Sequence, residues 1–405
     1  MPYDMIIIGA GAAGLFAAAN IRPGKRVLLL EKTAKPGQKL LLTGSGQCNL
    51  TNAGSIADFL PRYGPNGKRL RPVLFPFSNL ALMGWLEAQC LPLTTRSDGK
   101  VFPASMDARD VLNLLLGLAR KNGVEIRYNT PVTALAQTDD NPPARFRLAT
   151  PAGTLYTQNV LVATGGASYP RTGSDGAFFG CLDTMGLNLT PRRPALCPVY
   201  VHDYPYGELS GISFPDCAIV IDTDNKPVRA RDSLLLTHRG FSGLVILNNA
   251  RHISQGAELT ISCLPNTDLG DLRRALLTAA AGTAQQVGTL LEAKTRLPRR
   301  FLEAVCHRIN IPPDTKAARL GGAEMGQLAT LLTADTHTVS GTGGFQTAMV
   351  TAGGVSLDEI DLPTMSARRF PGLYFAGEVV DIDGDTGGYN LQFAFSSARL
   401  AVSAL

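Results

Sequence analysis

The feature that most constrains this chain is Gly9-Ala10-Gly11-Ala12-Ala13-Gly14, set between an apolar run at residues 5–8 and an alanine-rich stretch at residues 15–20. A GxGxxG pattern alone is a weak signal, because glycine turns are common in α/β proteins, and a plain structural turn is its alternative reading. Its setting sharpens it. The apolar run has the length of a buried parallel strand. The alanine-rich stretch continues as a helix, broken at Pro23-Gly24, and Val27–Leu30 follows as a second buried strand ending at Glu31. In such a unit the first glycine permits a tight turn, and the second lets a pyrophosphate approach the backbone. The third lets helix and strand pack closely. The helix N-terminus supplies free N–H groups and partial positive charge for phosphates. Glu31 is placed to accept hydrogen bonds from an adenosine ribose, which fits FAD or NAD better than NADP.

The far end of the chain favours FAD. Gly372-Leu373-Tyr374-Phe375-Ala376-Gly377-Glu378 is a strand running into a glycine–acid pair, a device that many FAD proteins use for the ribityl hydroxyls. A solvated loop carboxylate is the bland reading of Glu378. Residues 385–392 lead into a helix whose first turn could aim N–H groups at the flavin pyrimidine edge. The expected cofactor contacts are Gly9, Gly11, Ala12, Ala13, Gly14, Glu31, Lys32, Lys39, Gly46, Val132, Thr164, Gly165, Gly377, Glu378, Gly388, Asn390 and Leu391.

Between the ends, residues 36–67 are rich in glycine, asparagine and proline, and loops that long are usually functional. Residues 78–89 read as a helix capped by Ser78, and residues 107–122 as one capped by Asp107 and ended at Gly123. Residues 124–128 and 160–163 read as strands, with a hairpin turning at residues 151–153. From about Pro191 to Cys263 short apolar runs alternate with Pro, Gly and Asp, which suggests a small β insertion. Residues 269–332 look helical, with breaks at Pro298 and Pro312-Pro313. The expected division is an FAD-binding domain at residues 1–190 and 341–405, a β-rich insertion at 191–265 and a basic helical one at 266–340.

Composition narrows the class. Charged residues are 18% and hydrophobic residues 45% of the chain, which argues against disorder. No run approaches the roughly 18–20 apolar residues of a membrane helix, and residues 1–4 lack the basic start of a signal peptide. A soluble, cytoplasmic protein is expected. The seven cysteines are scattered without a CxxC pair, against a disulfide framework or structural zinc, and no metal is expected.

The segments Gly37-Gln38-Lys39-Leu40-Leu41-Leu42-Thr43-Gly44-Ser45-Gly46-Gln47-Cys48-Asn49-Leu50-Thr51-Asn52, Gly165-Gly166-Ala167-Ser168-Tyr169-Pro170, Thr237-His238-Arg239-Gly240-Phe241-Ser242-Gly243 and Thr351-Ala352-Gly353-Gly354-Val355 resemble one family of flavoproteins, as does the 372–392 segment. The family is variously labelled aminoacetone-oxidase-like, bile-acid-related NAD(P)/FAD-dependent oxidoreductase and ribosomal RNA dihydrouridine synthase. The resemblance spans essentially the whole chain and implies an α/β fold: a Rossmann-like FAD-binding domain with an inserted β-barrel-like subdomain and a small helical subdomain. Two departures stand out. The family usually reads Gly-Gly-Gly-Arg-Cys-Asn where this chain has Gly44-Ser45-Gly46-Gln47-Cys48-Asn49, so a fixed cation is lost at Gln47. Ala398 stands where a glycine is usual.

Candidate chemistry is narrower. Cys48, in the loop expected to face the flavin, could act as a general acid, although most free cysteines are small buried hydrophobes. His238 could donate to a substrate carbonyl or be a structural histidine. Residues 272–319 carry nine cations, Arg296, Arg299 and Arg300 among them, against three carboxylates, in a chain of net charge +5. Such a unit suits a polyanion, or is a solvated helical surface. No second GxGxxG has a strand–loop–helix setting, so NADH or NADPH would dock over the flavin, unless oxygen or a partner flavoprotein exchanges the electrons. The expected activity is an FAD oxidoreductase that reduces a C=C bond, with uracil in ribosomal RNA as the favoured substrate. The alternatives are an oxidase of a small amine such as aminoacetone, a small-molecule enone reductase, and a non-catalytic flavin-containing RNA- or ribosome-binding protein.

Overall fold

The computed structural model describes residues 2–139, 142–223 and 226–403. The chain forms two compact units, Met1–Ala195 with Phe345–Leu405, and Leu196–Gly344.

The first unit is built on a parallel sheet. Its strand order is Leu373–Phe375, Gly153–Val162, β1 (Tyr3–Ile8), Val27–Leu30, Glu125–Arg127. Met5, Ile6, Ile7, Leu28 and Leu29 are fully buried, as expected for strands covered on both faces. Helix α1 (Ala12–Ala19) packs against Tyr389–Ser403 and Ala108–Lys121. The Ala108–Lys121 helix starts where Asp107 accepts from the Arg109 N–H and stops before Gly123, which turns at φ +77°. Asn79–Ala88 is likewise capped by Ser78.

The strand expected at residues 160–163 and the second arm of the expected hairpin are one element. Gly153–Val162 pairs antiparallel with Phe146–Thr150 along its first half and parallel with β1 along its second. Leu189–Ala195 and Val350–Val355 form a further antiparallel pair. Residues 36–67 contain short helical turns at Leu40–Gly46 and Ile56–Phe59.

The second unit is a closed six-stranded antiparallel barrel. Its strands are Val199–Val201, Ser213–Ile221, Val228–Leu236, Gly240–Ser242, Glu258–Ser262 and Asp335–Thr342. Four helices, Leu269–Ala280, Val287–Thr295, Arg299–Arg308 and Gly322–Thr333, lie between the fifth and sixth strands in sequence. Barrel and helices share one apolar core that includes Phe214, Ile261, Phe301 and Leu328. The boundary expected at residue 341 therefore falls inside the last barrel strand, and the two expected insertions form a single body. Among the described residues no helix is long and apolar enough to cross a membrane.

Candidate functional site

The glycine motif builds one wall of a cavity of about 500 Å³ in the first unit. Gly9 leaves β1 at φ +103°, and a Cβ there would lie 2.5 Å from the Ala163 carbonyl oxygen. A Cβ at Gly14 would lie 1.9 Å from the Gly9 carbonyl oxygen, so the third glycine lets α1 settle on its own entry loop. Gly11 caps α1 with no side-chain hydrogen bond, leaving the helix N–H groups to a ligand.

Glu31 lines this cavity and is already engaged. Its Oε2 accepts from the Ala10 N–H at 2.8 Å, and its Oε1 accepts from the Thr33 N–H and hydroxyl, both at 2.8 Å. A carboxylate has about four acceptor sites, so room remains for one ribose hydroxyl. The structure adds a role that sequence reading did not give: Glu31 also holds the glycine loop in place.

Glu378 also lines the cavity. Its Oε2 pairs with Lys39 Nζ at 2.6 Å, and its Oε1 accepts from Ser168 Oγ at 2.8 Å and the Thr351 N–H at 2.9 Å. Lys39 also donates to Ser168 Oγ at 2.5 Å. A Cβ at Gly166 would strike Glu378 Oε1 at 2.5 Å, so the second glycine of that pair makes room for the carboxylate. Lys32 forms a further ion pair with Asp175 at 2.6 Å.

The cavity wall brings together Gly9, Gly11, Ala12, Ala13, Glu31, Lys32, Lys39, Val132, Thr164, Gly165, Gly377, Glu378, Asn390 and Leu391. Gly14, Gly46 and Gly388 are not on it. Gly388 has a packing role instead, since its Cβ would meet the Thr51 backbone at 2.5 Å. Asn390 grips the loop before its helix, exchanging two hydrogen bonds of 2.8 Å with the Gly384 backbone. Sequence reasoning missed the part of the wall contributed by Gly173, Ser174, Asp175 and Gly176. The signal for it was Thr172-Gly173-Ser174-Asp175-Gly176, which reads as an ordinary turn.

The cavity fits a dinucleotide. Gly9 and Gly166 on its wall admit no side chain, the N-terminal residues of α1 line it, and Ser174 Oγ is buried on its wall with no hydrogen-bond partner among the described residues.

The catalytic candidates fare differently. Cys48 has no exposed surface and is not on the cavity wall. Burial pushes its thiol up to about 12, so it stays protonated and is poorly placed to deliver a proton. This placement favours the small buried hydrophobe over the general acid. His238 is exposed on the turn between the barrel strands Val228–Leu236 and Gly240–Ser242. Gln47 accepts from Arg96 Nη2 at 2.5 Å, and the Arg96 guanidinium lies 4.3 Å from the Phe102 ring centroid. An arginine from a different strand turn thus stands beside the position where the family's usual arginine is missing.

In the second unit Arg296 and Arg300 are exposed, and Arg300 donates to the Glu208 carbonyl at 3.3 Å. Arg299 is held by Glu303 at 3.0 Å and Glu292 at 3.7 Å. Arg308 is spent inside the unit, with Nη1 2.7 Å from both Asp335 oxygens and from Tyr206 Oη. Among the described residues no group of three or more His, Cys, Asp or Glu could hold a metal ion.

The model of one family, described as HI0933-like protein Rossmann domain, matches residues 3–404. The ribosomal RNA dihydrouridine synthase of Escherichia coli is 32% identical over 404 residues, covering 98% of this chain and 96% of that protein. The 3-dehydro-bile acid delta(4,6)-reductase of Clostridium scindens is 31% identical over 411 residues, covering 98% and 97%. Among solved structures, a 3-ketosteroid-delta4-(5alpha)-dehydrogenase from Rhodococcus jostii aligns with a TM-score of 0.51 at 15% identity, over 99% of this chain and 97% of that one. A flavocytochrome c3 fumarate reductase also gives 0.51 at 15% identity, over 99% and 78%. At such identities these last two likenesses speak to fold alone.

Proposed function

The chain belongs to the HI0933-like family and is an FAD-dependent oxidoreductase, and from that premise we propose that it reduces a ring C=C bond with electrons from NADH or NADPH, the substrate being uracil within ribosomal RNA. One observation carries the reading. Two full-length relatives, at nearly equal identity, bear names with different substrates and one bond chemistry. Dihydrouridine is uridine saturated at C5–C6, and a delta(4,6)-reductase saturates ring double bonds. RNA is favoured over a steroid-like enone by the exposed Lys294, Arg296 and Arg300 of the helical insertion, which suit phosphates.

FAD, when bound, carries the hydride. The chain's own residues bind and orient it. The α1 N-terminus and Lys39 supply positive charge for the phosphates, Glu31 takes a ribose hydroxyl, and Glu378 a ribityl hydroxyl. The helix Tyr389–Ser403 starts at the cavity, with Asn390 and Leu391 on the wall. Its N–H groups would stabilise negative charge on the flavin pyrimidine.

The test is anaerobic. Bound flavin is reduced by NADH or NADPH and then offered unmodified ribosomal RNA, an enone or, separately, oxygen. The proposal expects re-oxidation by RNA, matched by dihydrouridine. Re-oxidation only by the enone moves the substrate to a small molecule. Re-oxidation only by oxygen, with aminoacetone reducing the flavin, replaces reductase by oxidase. Flavin that no substrate re-oxidises leaves an RNA- or ribosome-binding flavoprotein.

A further inference from the structure

Beyond the buried end of the Gly153–Val162 strand, residues 172–179 line the cavity. Tyr169 is left-handed at φ +53°, a short 3-10 turn runs over Pro170–Thr172, and Gly173 and Gly176 turn at +96° and +76°. The segment is fastened to the end of the Val27–Leu30 strand. Lys32 pairs with Asp175, and a Cβ at Gly173 would come within 3.0 Å of Thr33 Cγ2 and 3.9 Å of Glu31 Oε1. On its other side, a Cβ at Gly165 would lie 3.0 Å from Ser174 Oγ. Ser174 Oγ therefore faces the Gly165 turn, and Gly173 beside it comes close to Glu31, the acid proposed above to take the ribose.

Its hydroxyl is anomalous. Ser174 is 7% exposed, lines the cavity, and its Oγ has no hydrogen-bond partner among the described residues. Buried hydroxyls are nearly always paired, because leaving one unpaired forfeits its hydration with no return. The neighbouring hydroxyls show the ordinary outcome: Thr33 Oγ1 donates to Glu31, and Ser168 Oγ to Glu378. A serine hydroxyl can both donate and accept, so it suits a ribose hydroxyl or a phosphate oxygen equally.

We propose that Ser174 is a cofactor-binding residue whose hydroxyl bonds the adenosine diphosphate half of FAD. The proposal rests on the FAD reading above and assigns a contact in a segment that no glycine motif marks. It predicts opposite effects on the empty and the loaded protein. Ser174→Ala removes an unpaired hydroxyl from the apoprotein and a hydrogen bond from the complex.

The experiment measures the Kd of apoprotein for FAD, and for ADP by competition, together with the apoprotein Tm. The expected result for Ser174→Ala is a Kd raised about tenfold for both ligands, the scale of one lost hydrogen bond, with an apoprotein Tm equal to or above wild type. Unchanged Kd values overturn the proposal while leaving the FAD reading intact. So does an apoprotein Tm that falls, because the hydroxyl then serves the fold. Wild-type protein that binds neither FAD nor ADP overturns the FAD reading, and this assignment with it.

Discussion

At the scale of single residues, Cys48 shows how environment decides chemistry. Burial raises its thiol from 9.0 to about 12, so the folded state favours the protonated form. A thiol whose folded value lies above its unfolded one contributes stability that is fully present below pH 9 and lost as pH rises toward 12. Cys48→Ala should therefore flatten the fall of stability between pH 9 and 12 relative to wild type, by up to about 1.4 kcal/mol per pH unit. It should leave FAD content unchanged, because the side chain is off the cavity wall. Unfolding curves across that window check it, and loss of flavin from the variant would return Cys48 to the site. The sequence placed Cys48 in a long loop expected to face the flavin but did not say which way the side chain points. Gly44 and Ser45, both left-handed, together with Gly46 at +87° and Cys48 at +61°, set that direction, and backbone handedness at Ser and Cys is not written in residue type. Glu31 was legible because a strand end and a glycine spacing locate it. Ser174 was not, because a serine in a glycine turn is ordinary.

At the scale of elements, the βαβ opening was legible because local pattern and packing agree there. Gly14 is its tightest point. Gly14→Ala would drive a Cβ into the Gly9 carbonyl, forcing α1 off the loop whose N–H groups face the cavity. The expected cost is about 1–3 kcal/mol of stability, the usual range for overpacking, with FAD affinity falling alongside. A variant as stable as wild type and fully loaded with flavin would show that α1 has slack the structure does not display. Among the strands that escaped sequence reading, two show why. Asp335–Thr342 alternates inward and outward, but Asp335 and His337 point inward, where an apolar residue would have announced the period. Their burial is satisfied by one another, His337 Nε2 lying 2.9 Å from Asp335 Oδ2, and by Arg308. Leu189–Ala195 carries Pro191 and Pro194, which read as loop. It pairs on one side only, with Val350–Val355, and shifts register between Thr190 and Arg193.

At the scale of the whole molecule, the second unit has the anatomy of an independent domain. It closes a barrel, has its own apolar core, and its two ends meet: the Gly343 N–H donates to the Pro198 carbonyl at 2.9 Å, and Val199–Val201 pairs with Asp335–Thr342. Residues 196–344 expressed alone should unfold in a single cooperative transition without flavin. If ribosomal RNA is the substrate and the basic insertion holds it, this fragment should bind RNA with a log–log salt slope of about −0.7 per phosphate contact on single strands. The charges to reverse are Lys294, Arg296 and Arg300, which are exposed. Arg299 is left out because Glu292 and Glu303 already neutralise it, and Arg308 because it is spent on the buried Asp335. Lys294→Glu, Arg296→Glu and Arg300→Glu together should remove most of the affinity and the salt slope from both the fragment and the full chain. The cavity proposed for FAD lies in the other unit, so flavin content in the full chain should not move. A folded fragment and a flavin-loaded full chain that both show no salt-dependent RNA binding in the micromolar range would leave the insertion a solvated surface. The C=C chemistry would then act on a small molecule.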